Sequence, residues 1–316
     1  MTYQTSCSAG RILAFDIGGS HVAAALCSVD SLCLGPLAIG PLCTDASLER
    51  FLDLIHDLGS RASERRGEPA GAVFAIPGPF DYLAGISKMR HKLPSLYGVD
   101  LRHTLAERFG WAPDQFHFIN DADAFLLGEL GAGAAQGAER AVGITLGTGI
   151  GSAFARNNVL LIGEEEEGVP SGGEIWDLAY EGGTVEDLLS TAALQLDYRV
   201  RTGRQMEVAA IAAAAETDPD AREAFERFGR HLGLVLRDIL APFAPDVVVL
   251  GGGISRSDHL FLPAAQKSLA GHGFRLVTSG LFGHAPMIGA GVYWRQRISA
   301  SIDRGSSACT HYPQPA

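Results

Sequence analysis

Residues 14–26, AFDIGGSHVAAAL, decide how the rest of the chain is read. The hydrophobic run RILAFDI (11–17) ends next to an acid, GGS (18–20) makes a tight corner, and HVAAALCSV (21–29) returns as a strand. This is the pattern of a β-hairpin with a glycine turn. The same design comes back at residues 141–155, AVGITLGTGIGSAFA, as strand, glycine turn with a hydroxyl residue, and strand. The match is one of structural units and not of identities, and two equivalent hairpins in one chain imply two related halves.

A third glycine run follows a strand in DVVVLGGGISRS (246–257). One glycine cluster alone is also what an ordinary turn requires. Three, each directly after a hydrophobic strand, point to anion sites, because backbone amides at such turns form concavities that phosphate oxygens can approach closely. Gly18 and Gly19 sit at the first turn, Gly149 at the second, and Gly252 and Gly253 at the third; Ser20 and Thr148 add hydroxyl donors. No GxxxxGK[ST] motif is present, and GGGISR lacks the GxGxxG spacing of a dinucleotide fold. Asp16, at the end of the first strand, is placed either to hold Mg²⁺ or its waters beside phosphates, or to stabilise the turn.

The chain has 316 residues, 47% of them hydrophobic, and a formal charge of −11. That length favours two domains. The acidic balance and the lack of a basic stripe argue against nucleic acid as a partner. No apolar run is long enough for a membrane span, and the opening MTYQTSCSAG reads as no signal peptide. The five cysteines, Cys7, Cys27, Cys33, Cys43 and Cys309, form no CxxC pair and fit reduced thiols in cytoplasm.

Between the hairpins, residues 47–66 show helical spacing of Leu48, Phe51, Leu52, Ile55 and Leu58. GAVFAIP (71–77) reads as a buried strand, and residues 77–98 form a long loop rich in turn residues. FHFIND (116–121) is a short strand whose polar end opens a helix, with Asn120 and Asp121 at its mouth. Two roles are open to this pair: a helix N-cap, which residue type favours, or a carboxylate base for an attacking hydroxyl. Asp123 and Glu129 read as helix-surface or capping residues.

Taken together, these segments resemble the ROK group (repressors, open reading frames and sugar kinases) of the actin-like ATPase and hexokinase superfamily. AFDIGGSHVAAAL is similar to its first phosphate motif, INDADAFLLGE to its catalytic segment, GITLGTGIGSA to its second phosphate motif, and VVLGGGIS to its adenosine segment; the likeness spans residues 12–297. It implies a two-domain α/β actin-like ATPase (ribonuclease H-like) fold with an interdomain active-site cleft closing on sugar and ATP. A smaller domain of residues 11–119 plus about 286–302 and a larger one of 120–285 are expected, with disordered tails at 1–10 and 303–316. The resemblance makes Asp121 the base that activates a sugar hydroxyl, places Gly78 and Asn120 at the sugar, and implies a homodimer.

The stretch SGGEIWDLAYEGGTVEDLLS (171–190) departs from that family. Members usually read GGExGH, then a cysteine-rich zinc segment, then GCxE. Here Trp176 and Asp177 replace the Gly and His, and Gly183 and Thr184 replace the glycine-cysteine pair. By resemblance Glu174 and Glu186 accept hydrogen bonds from sugar hydroxyls, with Asp177 able to do the same. Zinc is not expected, since its ligands are missing, and Trp176, Leu178 and Tyr180 are expected to pack the loop against the domain in its place. Lys92 stands before Leu-Pro where an asparagine is usual, and His91 precedes it; Lys92 either reaches the sugar or points to solvent. The reading is a cytoplasmic, ATP- and Mg²⁺-dependent sugar kinase, glucose first, then fructose, mannose or an N-acetylhexosamine. A non-catalytic sugar-binding regulator is the alternative.

Overall fold

The computed structural model of the chain describes residues 10–64, 67–90, 92–163 and 167–303. The tails expected to be disordered lie outside the described residues except for Gly10 and Asp303, as do Cys7, His91 and Cys309. The chain forms two compact units, Met1–Ala132 with His284–Ala316, and Gly133–Gly283.

In the first unit, β1 (Arg11–Ile17) pairs antiparallel with β2 (His21–Ser28), from Arg11 opposite Ser28 to Ile17 opposite Val22. The Gly18 N–H donates to the His21 carbonyl at 3.0 Å and closes the corner. Ile12 to Phe15 are buried without a break, as in strands covered on both faces. β3 (Ala38–Pro41) adds to the outer side of β2. Helix α1 (Leu48–Ser63) starts at Ser47, whose hydroxyl accepts from the Arg50 N–H, and buries Phe51, Leu52, Ile55 and Leu58 as one apolar stripe. β4 (Ala72–Ile76) joins β1 in parallel. The long loop carries a small hairpin, β5 (Phe80–Asp81) with β6 (Ile86–Ser87). After α2 (Leu101–Phe109), β7 (Phe116–Asn120) pairs in parallel with β4 and runs directly into α3 (Asp121–Ala132). The sheet order is β3-β2-β1-β4-β7.

The second unit repeats this plan. β8 (Arg140–Leu146) and β9 (Ile150–Arg156) form the hairpin, and β10 (Val159–Leu160) flanks β9. Next come the two-stranded β11 (Ala179–Tyr180) and β12 (Gly183–Thr184), and helices α4 (Val185–Leu188), α5 (Thr191–Thr202), α6 (Val208–Ala214) and α7 (Pro219–Leu240). β13 (Val247–Gly251), α8 (Asp258–Ser268) and β14 (Arg275–Thr278) complete the unit, giving a sheet ordered β10-β9-β8-β13-β14. In both sheets a hairpin with an antiparallel flank precedes two parallel strands. The repeat legible between residues 14–26 and 141–155 is therefore a repeat of whole sheets.

Helix α9 (Ala285–Asp303) belongs to the first unit and packs on α3. The approach is so close that a Cβ on Gly128 would overlap the Ala285 carbonyl, and one on Gly289 the Ala124 carbonyl. With β4 and β7 on one side and α9 on another, α3 has little water-facing surface. Glu129, expected on the helix surface, is for that reason fully buried. Among the described residues no helix is long and apolar enough to cross a membrane, and Cys27, Cys33 and Cys43 are free thiols.

Candidate functional site

The register of the first sheet brings its candidate residues to one edge. Asp16 on β1 lies beside Ala75 on β4, and Ile76 beside Asn120 on β7, so Asp16, Gly78 and the Asn120–Asp121 pair all follow the same strand ends. Ligands of parallel α/β sheets bind at that end. Burial of the Asp16 carboxyl, and after it the charge of Asp121, pushes Asp16 up to about 7. A buried carboxyl with a second carboxylate close enough to raise it is a place where a divalent cation would be welcome, which fits Mg²⁺. The turn beyond is open: Ser20 is exposed, and a Cβ on Gly19 would meet nothing within 4 Å.

Asn120 caps α3. Its Oδ1 accepts from the N–H groups of Ala122 at 2.8 Å and Asp123 at 3.3 Å, and its Nδ2 donates to the Tyr82 hydroxyl at 3.1 Å. Tyr82 in turn donates to the Ile76 carbonyl at 3.2 Å and lies 3.5 Å from where a Cβ on Gly78 would be. Asp121 accepts from the adjacent Ala122 N–H at 3.0 Å. The cap is thus Asn120, and the carboxylate next to Asp16 is Asp121. Lys92 is exposed.

The second sheet gathers its candidates in the same way. Gly251 at the end of β13 pairs with Thr145 of β8, which sets Gly252 beside Leu146 and the turn of Gly147, Thr148 and Gly149. Gly252 has φ +84°, and a Cβ there would run into the Leu146 carbonyl, so both conformation and space demand glycine. A Cβ on Gly253 would meet nothing within 4 Å. Thr191 fixes the turn from α5, donating through both N–H and hydroxyl to the Gly147 carbonyl at 2.8 Å.

Glu186 folds onto this hairpin. Thr184 and Asp187 cap α4 reciprocally, Glu186 occupies its first turn, and the Glu186 carboxylate accepts from the Ile150 N–H at 3.1 Å. Glu174 is exposed and held differently: the Trp176 indole N–H donates to its Oε2 at 2.8 Å. Asp177 is exposed and has no hydrogen bond or ion pair to the described residues. Among the described residues no group of three or more His, Cys, Asp or Glu side chains could hold a metal.

The loop from 171 to 186 is held by hydrogen bonds. Ser152 on β9, buried, donates to the Gly173 carbonyl at 2.7 Å and accepts from the Ile175 N–H at 3.0 Å, bracketing Glu174. β11 pairs with β12, the Val185 N–H donates to the Leu178 carbonyl at 3.0 Å, and the Tyr180 hydroxyl donates to Asp238 at 2.8 Å. Leu178 and Tyr180 pack on the core as expected, but Trp176 does not: it is 42% exposed, because its N–H is drawn to Glu174 and its side chain with it. Ser152, Tyr82 and Asp238 went unnoticed in the sequence. Only Ser152 left a trace there, as a lone hydroxyl in the apolar strand IGSAFA.

Residues 12–297 match the family model described as ROK family. The chain is 28% identical to a glucokinase of Thermotoga maritima, covering 91% of this chain and 98% of the relative. It is 26% identical to an N-acetyl-D-glucosamine kinase of Haemophilus influenzae, over 81% and 88% of the two chains. Among solved structures, the ROK family glucokinase of Streptomyces griseus in complex with glucose and AMPPNP superposes with a TM-score of 0.74 at 25% identity, covering 91% of this chain and all of that one. The two like sheets, the three glycine turns at their strand ends and the match over nearly the whole length lead to one conclusion: the chain belongs to the ROK family, with its two-unit α/β actin-like ATPase fold.

Proposed function

We propose that the protein is an ATP-dependent sugar kinase acting on a hexose, with the 6-hydroxyl of glucose as first choice. Family membership and a glucokinase relative matched along nearly its full length support the kinase; the N-acetylglucosamine kinase relative keeps the acceptor sugar open among glucose, fructose, mannose and N-acetylhexosamines. The observation that carries the reading is the paired Asp16 and Asp121 at one sheet edge. Asp121 takes the proton of the attacking hydroxyl as that oxygen bonds to the γ-phosphorus of ATP and the bond to the bridging oxygen breaks, releasing ADP. Help of this kind is typically worth about 10²–10⁴-fold. Asp16 would hold Mg²⁺, which supplies charge neutralisation for the phosphates.

Gly18, Gly19 and Ser20 in one hairpin, and Thr148 and Gly149 in the other, offer amide and hydroxyl donors to the phosphates. Gly252 and Gly253 leave room for the nucleoside. Glu174 and Glu186, with Asp177 beside them and Gly78 and Asn120 in the first unit, are the sugar contacts in this reading. Assembly as a homodimer in the cytoplasm belongs to the same proposal. An assay coupling ADP release from ATP to a panel of hexoses, with sugar phosphate measured directly when polyphosphate is the donor, tests it. Sugar-dependent ADP release is the expected result; sugar binding without turnover would favour the regulator reading.

A further inference from the structure

We propose that Trp176 is a specificity-determining residue of the sugar site, selecting gluco-configured pyranoses; this rests on the kinase reading above. Trp176 touches both residues that carry the proposed sugar-binding carboxylates. Its indole N–H donates to Glu174 Oε2 at 2.8 Å, and its backbone carbonyl accepts from the Glu186 N–H at 3.0 Å. The neighbours on either side are committed elsewhere: Ile175 is fully buried, Leu178 packs on the core, and Asp177 points to solvent. Trp176 as a whole is 42% exposed, a large side chain left partly uncovered beside a charged group.

The bond to Oε2 fixes Glu174 and leaves Oε1 to accept from a sugar hydroxyl, which then lies next to the indole. A pyranose has two chemically different surfaces, a rim of hydroxyls and a face of C–H bonds. Carboxylates read the rim, and an exposed aromatic ring reads the face, burying apolar surface on both partners. In glucose the ring hydroxyls are equatorial and the C–H face is unbroken. Mannose and galactose each turn one hydroxyl axial, in both cases onto the face that carries H2 and H4 in glucose, and interrupt that face. With the indole against that H2/H4 face, carboxylate and indole together form a two-part reader that favours glucose over these epimers.

Steady-state kinetics on three full-length proteins test this, with glucose, mannose and galactose as acceptors. Trp176→Ala should raise the glucose KM about tenfold to a hundredfold, from loss of the ring contact and of the hydrogen bond to a charged partner. The KM for ATP and the thermal midpoint should stay as in the wild type, and the preference for glucose in kcat/KM should shrink. Trp176→Phe, which keeps a ring but has no N–H, should raise the glucose KM less than Trp176→Ala does. If Trp176→Ala keeps its glucose KM within about twofold and its epimer preference intact, the inference falls and the kinase reading stands. A wild-type protein that phosphorylates no sugar of a wider panel overturns the kinase reading and this inference with it.

Discussion

Asn120 and Asp121 are neighbours with separable duties, and substitution can tell them apart. Removing the Asn120 side chain deletes the acceptor for the Ala122 and Asp123 N–H groups and the donor to Tyr82, so Asn120→Ala should cost about 1–2 kcal/mol of stability. Asp121 accepts from the N–H of the next residue, and Asp121→Ala should fold with a near-normal unfolding midpoint while kcat falls about 10²–10⁴-fold. Near-normal turnover in Asp121→Ala would remove it as the base. The two glycine turns are also unlike. A side chain on Gly19 enters open space, so Gly19→Val should weaken binding of an ATP analogue and spare sugar affinity. A side chain on Gly149 would collide with the Glu186 carboxylate and break its bond to the Ile150 N–H. Gly149→Val is therefore expected to weaken sugar and nucleotide binding together, with calorimetry on each ligand as the check. The sequence motif treats these glycines as equivalent; the difference arises from a residue 37 positions away from Gly149, which no local pattern reports.

At the scale of elements, the segment from 171 to 190 shows how a loop without zinc ligands is kept in place. Ser152 clamps its start, the β11–β12 pairing sets its register, and Tyr180 anchors its tip to Asp238 on α7. Tyr180→Phe removes that anchor and should lower stability by about 1 kcal/mol, with a larger rise in sugar KM than in ATP KM because Glu186 follows on the next helix. Prolonged treatment with a zinc chelator should leave the thermal midpoint and the activity with added Mg²⁺ unchanged; a fall in either that zinc restores would contradict the hydrogen-bonded account. The hairpins and the apolar stripe of α1 were legible because apolar periodicity and glycine corners are local signals. The loop anchors were not, since Tyr180 and Asp238 stand 58 residues apart and nothing in either neighbourhood marks the pair. Glu129 misled for a related reason: an acid in a helix reads as surface until α9, from the far end of the chain, covers it.

At the scale of the whole molecule, the first unit should carry two opposed pH dependences. Asp16 is raised from 3.8 to about 7 by burial and by Asp121, so the folded state holds a proton that the unfolded chain releases above pH 4. Its contribution is greatest at low pH and is lost as pH rises toward 7. His117, on β7 against Tyr293 and Trp294, is lowered from 6.5 to about 3 by burial and then by Arg297 and Arg102. Its contribution is full above pH 6.5 and is lost as pH falls toward 3. Each group alone can tilt stability by at most about 1.4 kcal/mol per pH unit. Between pH 4 and 6.5 the two slopes have opposite signs, and the wild type should be close to flat with respect to them. The lowered carboxylates Asp100, Asp187, Asp218 and Asp238 add their losses only as pH falls below their ordinary 3.8. Denaturant unfolding at pH 4, 5 and 6.5 separates the terms, best followed in a Trp176→Phe background, where the remaining Trp111 and Trp294 both report on the first unit. His117→Phe should expose the Asp16 slope, with the midpoint falling as pH rises. Asp16→Asn should expose the His117 slope, with the midpoint falling as pH drops. Parallel pH profiles for both variants would mean that these two buried groups do not govern the unit's response to acid.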